Sequence, residues 1–586
     1  MRPMKMKNAT FKTLFLALMM TVTLFLAPAS FAAAPGITGP TFNLTAQQAY
    51  LNMPDGEAVY SWGYGCNGAP AGFAPAAITN ATCTTMQVPG PTLIVTEGQT
   101  VTVNLQNGLP TAAGNTSILF PGFQLTSTCP NSATNAQGLL ACEAAPGATV
   151  TYKFVASTPG TRAYYSGTQG DLQIEMGLYG AVIVLPATPG GTAGNCANGP
   201  SHLTNLYGKA DYGTTNGVAG FPEKDFRLST AAYDHPRSCY DREYLFQWAE
   251  MDHRIHRQAE VQVQAKTGCV AGALGCNLDV QTEPYHPAYF LINGRSMPDL
   301  MDPNYAAEYP HQPYNGNPHI HPGELMLIRT IGQGRWQHPF HEHANHVRIL
   351  ARDGNLVLSP TNPTASLAGI LMFNTDTTPG EAFDGIFYFS GRGLNWDPYG
   401  HHPAPDTGTY PSNAYGIALN DPLAHLGCTA DGNGYNTGDT TALNYYEWCQ
   451  DHNKPVQVNP FGDVPAGGPA TFPDPNVFTN GQWYGGTPYF GPDASLRAAM
   501  PTCAPATGST NGNGGTGAPG TSTGPLANCT TLQPANTQAN PANERGWAFM
   551  WHSHNERENT TNNVFPGGML MMLLVDSREF AIDEGL

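Results

Sequence analysis

The densest chemistry in this sequence is a run of imidazoles, His338-Pro-Phe-His341-Glu-His343-Ala-Asn-His346. Side chains two apart on an extended strand share a face, so His341 and His343 can turn toward one ion while Glu342 points away. A second pair with the same spacing stands near the C-terminus in Trp551-His552-Ser553-His554, beside an apolar run. One His-Xaa-His pair is weak evidence. Two pairs on neighbouring strands supply four nitrogens, and imidazole suits copper, zinc, iron or nickel. His319 and His321 have this spacing too, just before a strand, and read as an auxiliary site at most. His253, His256, His286, His401 and His402 read as surface or hydrogen-bonded residues. Glu556 and Glu558 either orient imidazoles from behind or lie in a solvated loop.

Such ligands need a rigid β framework, and the composition supplies one. Gly (66) and Pro (51) are abundant among 586 residues while charged residues make up 12%, which suits many strands and turns and excludes a coiled coil or helical bundle. The length asks for more than one hydrophobic core. From Thr41 the chain reads as short strands, and Pro91 to Leu105 alternates around Glu97-Gly98 as a hairpin should. Residues 41–190 therefore predict an antiparallel β-sandwich, 191–240 a linker, and 241–400 with 545–586 a second sandwich. Residues 401–544, rich in Gly, Asn and Pro, predict a loop-rich insertion; a third sandwich stays open.

The excess of 43 Asp+Glu over 25 Lys+Arg argues against nucleic acid as a partner. Residues 1–32 carry Arg2, Lys5, Lys7 and Lys12, then an apolar run near Leu14 to Ala27 and the small-residue site Ser30-Phe31-Ala32. This predicts a secretory signal, hence a secreted, periplasmic or extracellular protein with no transmembrane anchor after cleavage. Twelve cysteines in an exported chain predict disulfides. Pairing near neighbours gives Cys66–Cys83, Cys129–Cys142, Cys196–Cys239, Cys269–Cys276, Cys428–Cys449 and Cys503–Cys529.

His338-Pro-Phe-His-Glu-His resembles the His-Pro-Xaa-His-Xaa-His motif of multicopper oxidases, the laccase-like family built from cupredoxin β-sandwiches. Pro89-Gly-Pro-Thr-Leu, Pro159-Gly-Thr, Glu175-Met-Gly-Leu-Tyr-Gly, Leu291-Ile-Asn-Gly, Pro322-Gly-Glu, and Pro379-Gly-Glu with Asp384 frame it in the family's order. The resemblance implies an all-β fold of tandem cupredoxin-like Greek-key sandwiches. It also implies a trinuclear copper cluster held by four His-Xaa-His pairs, fed by a type 1 copper through a His-Cys-His segment. Here Leu119 and Pro121 stand at the first pair, and Tyr165 and Gly167 at the second. His341 with His343 and His552 with His554 match the third and fourth.

His338 matches a type 1 ligand, but Ser553 stands in place of the soft thiolate that site requires and Glu558 in place of its second histidine. Met569 reads as core rather than as the axial methionine. The segment from His552 to Met569 also resembles a His-Ser-His strand of the family; on that alignment no cysteine belongs there, and a type 1 centre is visible nowhere else. The resemblance thus implies a metal set of His338, His341, His343, His552 and His554, with copper in reduced number and zinc or another transition metal open. A complete laccase cycle is disfavoured. Two readings remain: a residual redox or metal-handling site, or a catalytically silent scaffold. A homo-oligomer, a trimer by analogy with two-domain members, is implied weakly, and the substrate is unknown.

Overall fold

The computed structural model of the chain describes residues 34–75, 78, 80–83, 85–129, 141–189, 231–320, 325–364, 367–388, 486–489 and 546–576. The predicted signal segment, residues 191–230 of the linker and most of the insertion lie outside them, as do His321, His401, His402 and Pro322. The short runs between turn signals become strands of four sheets, which pair into two sandwiches, an all-β architecture in tandem. Among the described residues no helix is long and apolar enough to cross a membrane.

In the first sandwich, one sheet runs in the order Phe73–Ala74, Gly36–Thr38, Leu93–Thr96, Tyr179–Leu185, Gly160–Tyr165. The other runs Ala58–Cys66, Thr41–Asn52, Thr100–Asn107, Thr149–Val155, Thr126–Thr128. The expected hairpin at Glu97-Gly98 is therefore corrected: its two arms belong to different sheets. Leu93, Ile94 and Val95 are all buried, as suits an interior strand covered on both faces, whereas Thr100–Asn107 alternates between core and solvent. The turn carries the chain from one sheet to the other. The expectation of purely antiparallel sheets is corrected too, because Leu93–Thr96 lies parallel to both its neighbours and Thr100–Asn107 parallel to Thr41–Asn52.

The second sandwich has a sheet ordered Tyr289–Ile292, Arg242–Met251, Leu325–Gly332, Ala382–Tyr388, Val347–Arg352, Asn355–Leu356. Facing it is a sheet ordered His319–Ile320, Leu570–Asp576, Gly546–Ser553, His338–Glu342, Asn374–Thr377. Phe246, Trp248, Phe340, Trp551 and Met571 fill the space between them, and Met569 joins this core as expected. The insertion is less featureless than the sequence suggested, since Gly486–Tyr489 pairs with Gly546–Phe549, the part of an interior strand of the histidine-bearing sheet that His338–Glu342 does not pair with. The end of the expected linker is also packed: Tyr233 and Tyr240 are buried, and the Tyr233 hydroxyl donates to Asp384.

A 13-residue helix departs from the strand pattern. His253–Ala265 begins at Asp252, whose carboxylate accepts from the Arg254 amide, and buries Ile255, His256 and Ala259. His256 is the hydrogen-bonded core residue the sequence allowed, with Nδ1 at 2.6 Å from the Tyr60 carbonyl and Nε2 at 3.0 Å from that of Glu175. Disulfides join Cys66 to Cys83, Cys129 to Cys142 and Cys269 to Cys276, as near-neighbour pairing predicts. Cys239 is also disulfide-bonded, while Cys196, Cys428, Cys449, Cys503 and Cys529 lie outside the described residues.

The Leu291-Ile-Asn-Gly segment is a tight turn: Ile292 and Arg295 exchange backbone hydrogen bonds around Asn293 and Gly294, both at positive φ. A Cβ on Gly294 would lie 2.0 Å from the Val88 carbonyl oxygen, in the first sandwich. Gly294→Ala is expected to cost on the order of 2–4 kcal/mol, from left-handed strain and overpacking, read as a lower thermal midpoint.

Candidate metal centre

Strand alternation sorts the histidines onto two faces. On His338–Glu342, the side chains of His338, Phe340 and Glu342 enter the core, while Pro339 and His341 lie on the outer face. The neighbouring strand is in register, with Phe340 opposite Ser553, His341 opposite His552 and Glu342 opposite Trp551. His341 and His552 therefore share the outer face, and His343, just past the strand end, joins them.

The three rings offer ligand nitrogens that all lie within 4.8 Å of one another, which no other trio of metal-binding residues achieves among the described residues. His552 and His343 bring Nε2 atoms to 3.3 Å, about the separation of two ligands on a four-coordinate ion with bonds of ~2.0 Å. The Nδ1 of His552 lies 2.7 Å from the Ser553 carbonyl and 3.3 Å from the Asn559 amide nitrogen; donation to the nearer carbonyl leaves Nε2 with its lone pair facing His343. The buried Nδ1 of His341 has no hydrogen-bond partner. Burial, then the neighbouring His552 and His554, hold the His341 pKa down at about 4; burial also lowers that of His552. Both rings are then neutral near pH 7, the form that binds metal. This donor set fits copper, and equally zinc.

His554 stands beside this group but outside it. It is exposed, with its ring 4.8 Å from that of His341 and stacked 5.7 Å from that of His552. His319 is buried in its short strand, and His321, its expected partner, lies outside the described residues. Glu342 points into the core as predicted, where Thr375 donates to it at 3.1 Å and burial pushes its pKa well up.

His338 is placed apart from the trio, on the inner face, with both ring nitrogens engaged. Nδ1 is 2.9 Å from Glu558 and Nε2 is 2.9 Å from Glu250, and all three side chains are buried. Burial opposes a charge on this ring, but the hydrogen bonds and attraction of the two carboxylates outweigh it and raise the pKa to about 9. The residues here do not fit a type 1 copper: there is no thiolate, and the imidazole is already held at both ends. Glu558 was expected as an orienting acid or a loop residue; it is the former in kind, but its imidazole is His338. Glu250 went unremarked in the sequence, although a carboxylate inside the apolar strand Arg242–Met251 was the available signal.

The sign of the resulting pH dependence is fixed. The His338 pKa is raised above its ordinary value of 6.5, so the stabilisation is complete below that pH and is lost as pH rises through about 9. The loss amounts to about 3 kcal/mol. Glu175, whose pKa burial pushes up to about 8, adds to the alkaline decline. Thermal midpoints of the wild type are expected to fall more steeply between pH 7 and 9.5 than those of Glu558→Gln; parallel curves would contradict the assignment.

In the first sandwich the positions matched to the missing ligands are filled. The Leu119 amide donates to the Tyr165 carbonyl at 2.8 Å, and Leu119 packs so closely on Gly167 that a Cβ there would sit 2.8 Å from it. Thr116, Ser166 and Gln173 form a buried hydrogen-bonded group behind them.

Residues 73–189 match the family model described as multicopper oxidase. An L-ascorbate oxidase from Brassica rapa subsp. pekinensis is 39% identical over 99 residues, which is 17% of this chain and 16% of that protein's length. Among solved structures, the multicopper oxidase mgLAC aligns with 18% identity over 59% of this chain and 74% of its own, at a TM-score of 0.34. A blue copper oxidase from Nitrosomonas europaea aligns with 19% identity over 59% of this chain and 74% of its own, also at 0.34. With the family model matched within the first sandwich and the His-Pro-Xaa-His-Xaa-His segment carried by the second, the chain resembles the multicopper oxidases in both sandwiches and diverges from them at the ligand positions.

Proposed function

We propose that this is an exported protein in which His341, His343 and His552 hold a single copper ion, serving a redox or metal-handling task rather than four-electron reduction of dioxygen. The observation that carries the reading is the convergence of three ligand nitrogens within 4.8 Å on one sheet face. Copper bound there would supply one-electron exchange. The chain's own residues set the conditions: Ser553 fixes the His552 tautomer, and burial keeps the imidazoles neutral. The filled ligand positions of the first sandwich remove half of the family's cluster, so the coupled centres needed for dioxygen reduction are not supported.

A second reading, a metal-free scaffold, is favoured by that same first sandwich, where Leu119 and Tyr165 pair in place of ligands. Elemental analysis of the purified mature protein after copper or zinc loading separates the two. One ion per chain, with the copper(II) spectrum of nitrogen ligands and no intense blue thiolate band, supports the metal reading. Absence of stoichiometric metal supports the scaffold.

A further inference from the structure

The core face of the histidine-bearing sheet holds a second arrangement, which the metal reading does not use. The imidazole of His338 spans two carboxylates from distant parts of the chain, Glu250 on the strand Arg242–Met251 and Glu558 in the turn Glu556–Asn559. Neither acid is left with an idle oxygen. The second oxygen of Glu250 accepts from the Arg335 amide at 2.7 Å, the Trp336 amide at 2.9 Å and the Tyr285 hydroxyl at 3.1 Å. Glu558 accepts from the Ser553 hydroxyl on one oxygen and from the Asn555 amide group at 2.8 Å on the other.

Ser553 is the residue between His552 and His554. Its hydroxyl is held by Glu558, and its carbonyl accepts from Asn559 at 2.9 Å as well as from His552. Its hydroxyl and its carbonyl are thus both tied to one short turn, and that turn is tied through His338 to the opposite sheet. The carbonyl that fixes the His552 ring cannot shift without disturbing this chain of contacts.

We infer that Glu250, His338 and Glu558 form a metal-free bridge, standing where the family resemblance places a type 1 copper, and that this bridge positions the His552–Ser553–His554 segment. The three are positioning residues. They lie outside the converging trio of ligand nitrogens, and they act through the Ser553 backbone on the direction of the His552 lone pair. Supporting groups of this kind change metal affinity by about 10- to 100-fold when removed. The affinity arm of the test rests on the three-histidine reading; a second arm does not.

In the metal-free full-length protein, the imidazole nitrogen resonances of His552 should report one tautomer, protonated at Nδ1. Ser553→Ala and Glu558→Ala are expected to give a mixture of tautomers, and Glu558→Gln, which keeps an acceptor oxygen, to restore the single form. With cobalt(II) as the probe, Glu558→Ala should bind about 10- to 100-fold more weakly with an altered visible spectrum, and Glu558→Gln close to wild type. Ser553→Ala, which deletes one hydroxyl, carries the test if the charge deletion does not fold. A wild-type tautomer and affinity in Ser553→Ala would overturn the inference. So would loss of cobalt on His338→Gln with the His552 tautomer unchanged, which would make His338 a ligand rather than a positioning residue. If the wild type takes up no cobalt, the three-histidine reading fails while the tautomer measurement still decides the bridge.

Discussion

Replacing His552 by alanine is expected to weaken copper binding on the order of a hundredfold or more, the largest functional effect of any single substitution in this protein. Loss of a ligand should exceed the 10- to 100-fold cost of losing a supporting group. His552 is the sharpest choice because its Nε2 faces that of His343 at 3.3 Å while its other nitrogen is fixed by Ser553. His343→Ala should behave alike, since it removes the other member of that close pair. His554→Ala should have a smaller effect, because that ring is exposed and lies outside the converging group. Isothermal titration with copper(II) checks the order. Equal losses at 552 and 554 would mean that the ion sits further out on the sheet face than the trio implies.

Arg329→Met is expected to produce the largest loss of stability, about 3–5 kcal/mol, because it strips the counter-charge from two buried carboxylates. Arg329 pairs with Glu243 and lies 3.5 Å from Asp384, and all three side chains are essentially inaccessible to water. Its guanidinium also donates to the Thr161 hydroxyl at 3.0 Å, and that hydroxyl donates to Asp384 at 2.6 Å. The network therefore joins the second sandwich to the strand Gly160–Tyr165 of the first. A Glu243→Leu/Arg329→Met double substitution should recover part of the loss, since an apolar pair leaves one fewer unpaired buried charge. Thermal unfolding of the single and double variants measures this directly. A double variant no better than the single would indicate that Asp384, not Glu243, carries the uncompensated charge.

Much of the architecture was open to reading in local patterns. Alternation along Thr100–Asn107 and Thr149–Val155, punctuated by glycine and proline, is a property of neighbouring residues, and strands formed where it occurs. The spacing of His341 and His343 likewise pointed both to one face, because side chains two apart on extended backbone lie on the same side. Asp384 and the Pro159-Gly-Thr segment could be noticed but not connected: Thr161 and Asp384 meet across 223 positions of sequence.

From its residue order alone, the chain determined that it would be all-β, that two histidine pairs would each share a face, and that no thiolate would stand between His552 and His554. Only the packed structure decided which sheet each strand joined, as when Leu93–Thr96 and Thr100–Asn107 parted company, and which imidazoles gathered. Local periodicity sets the face of a side chain, whereas register between distant strands sets its neighbours. The register of His341 opposite His552 brought one trio together, while Glu250 and Glu558, far apart along the chain, closed on His338 and took it for the core.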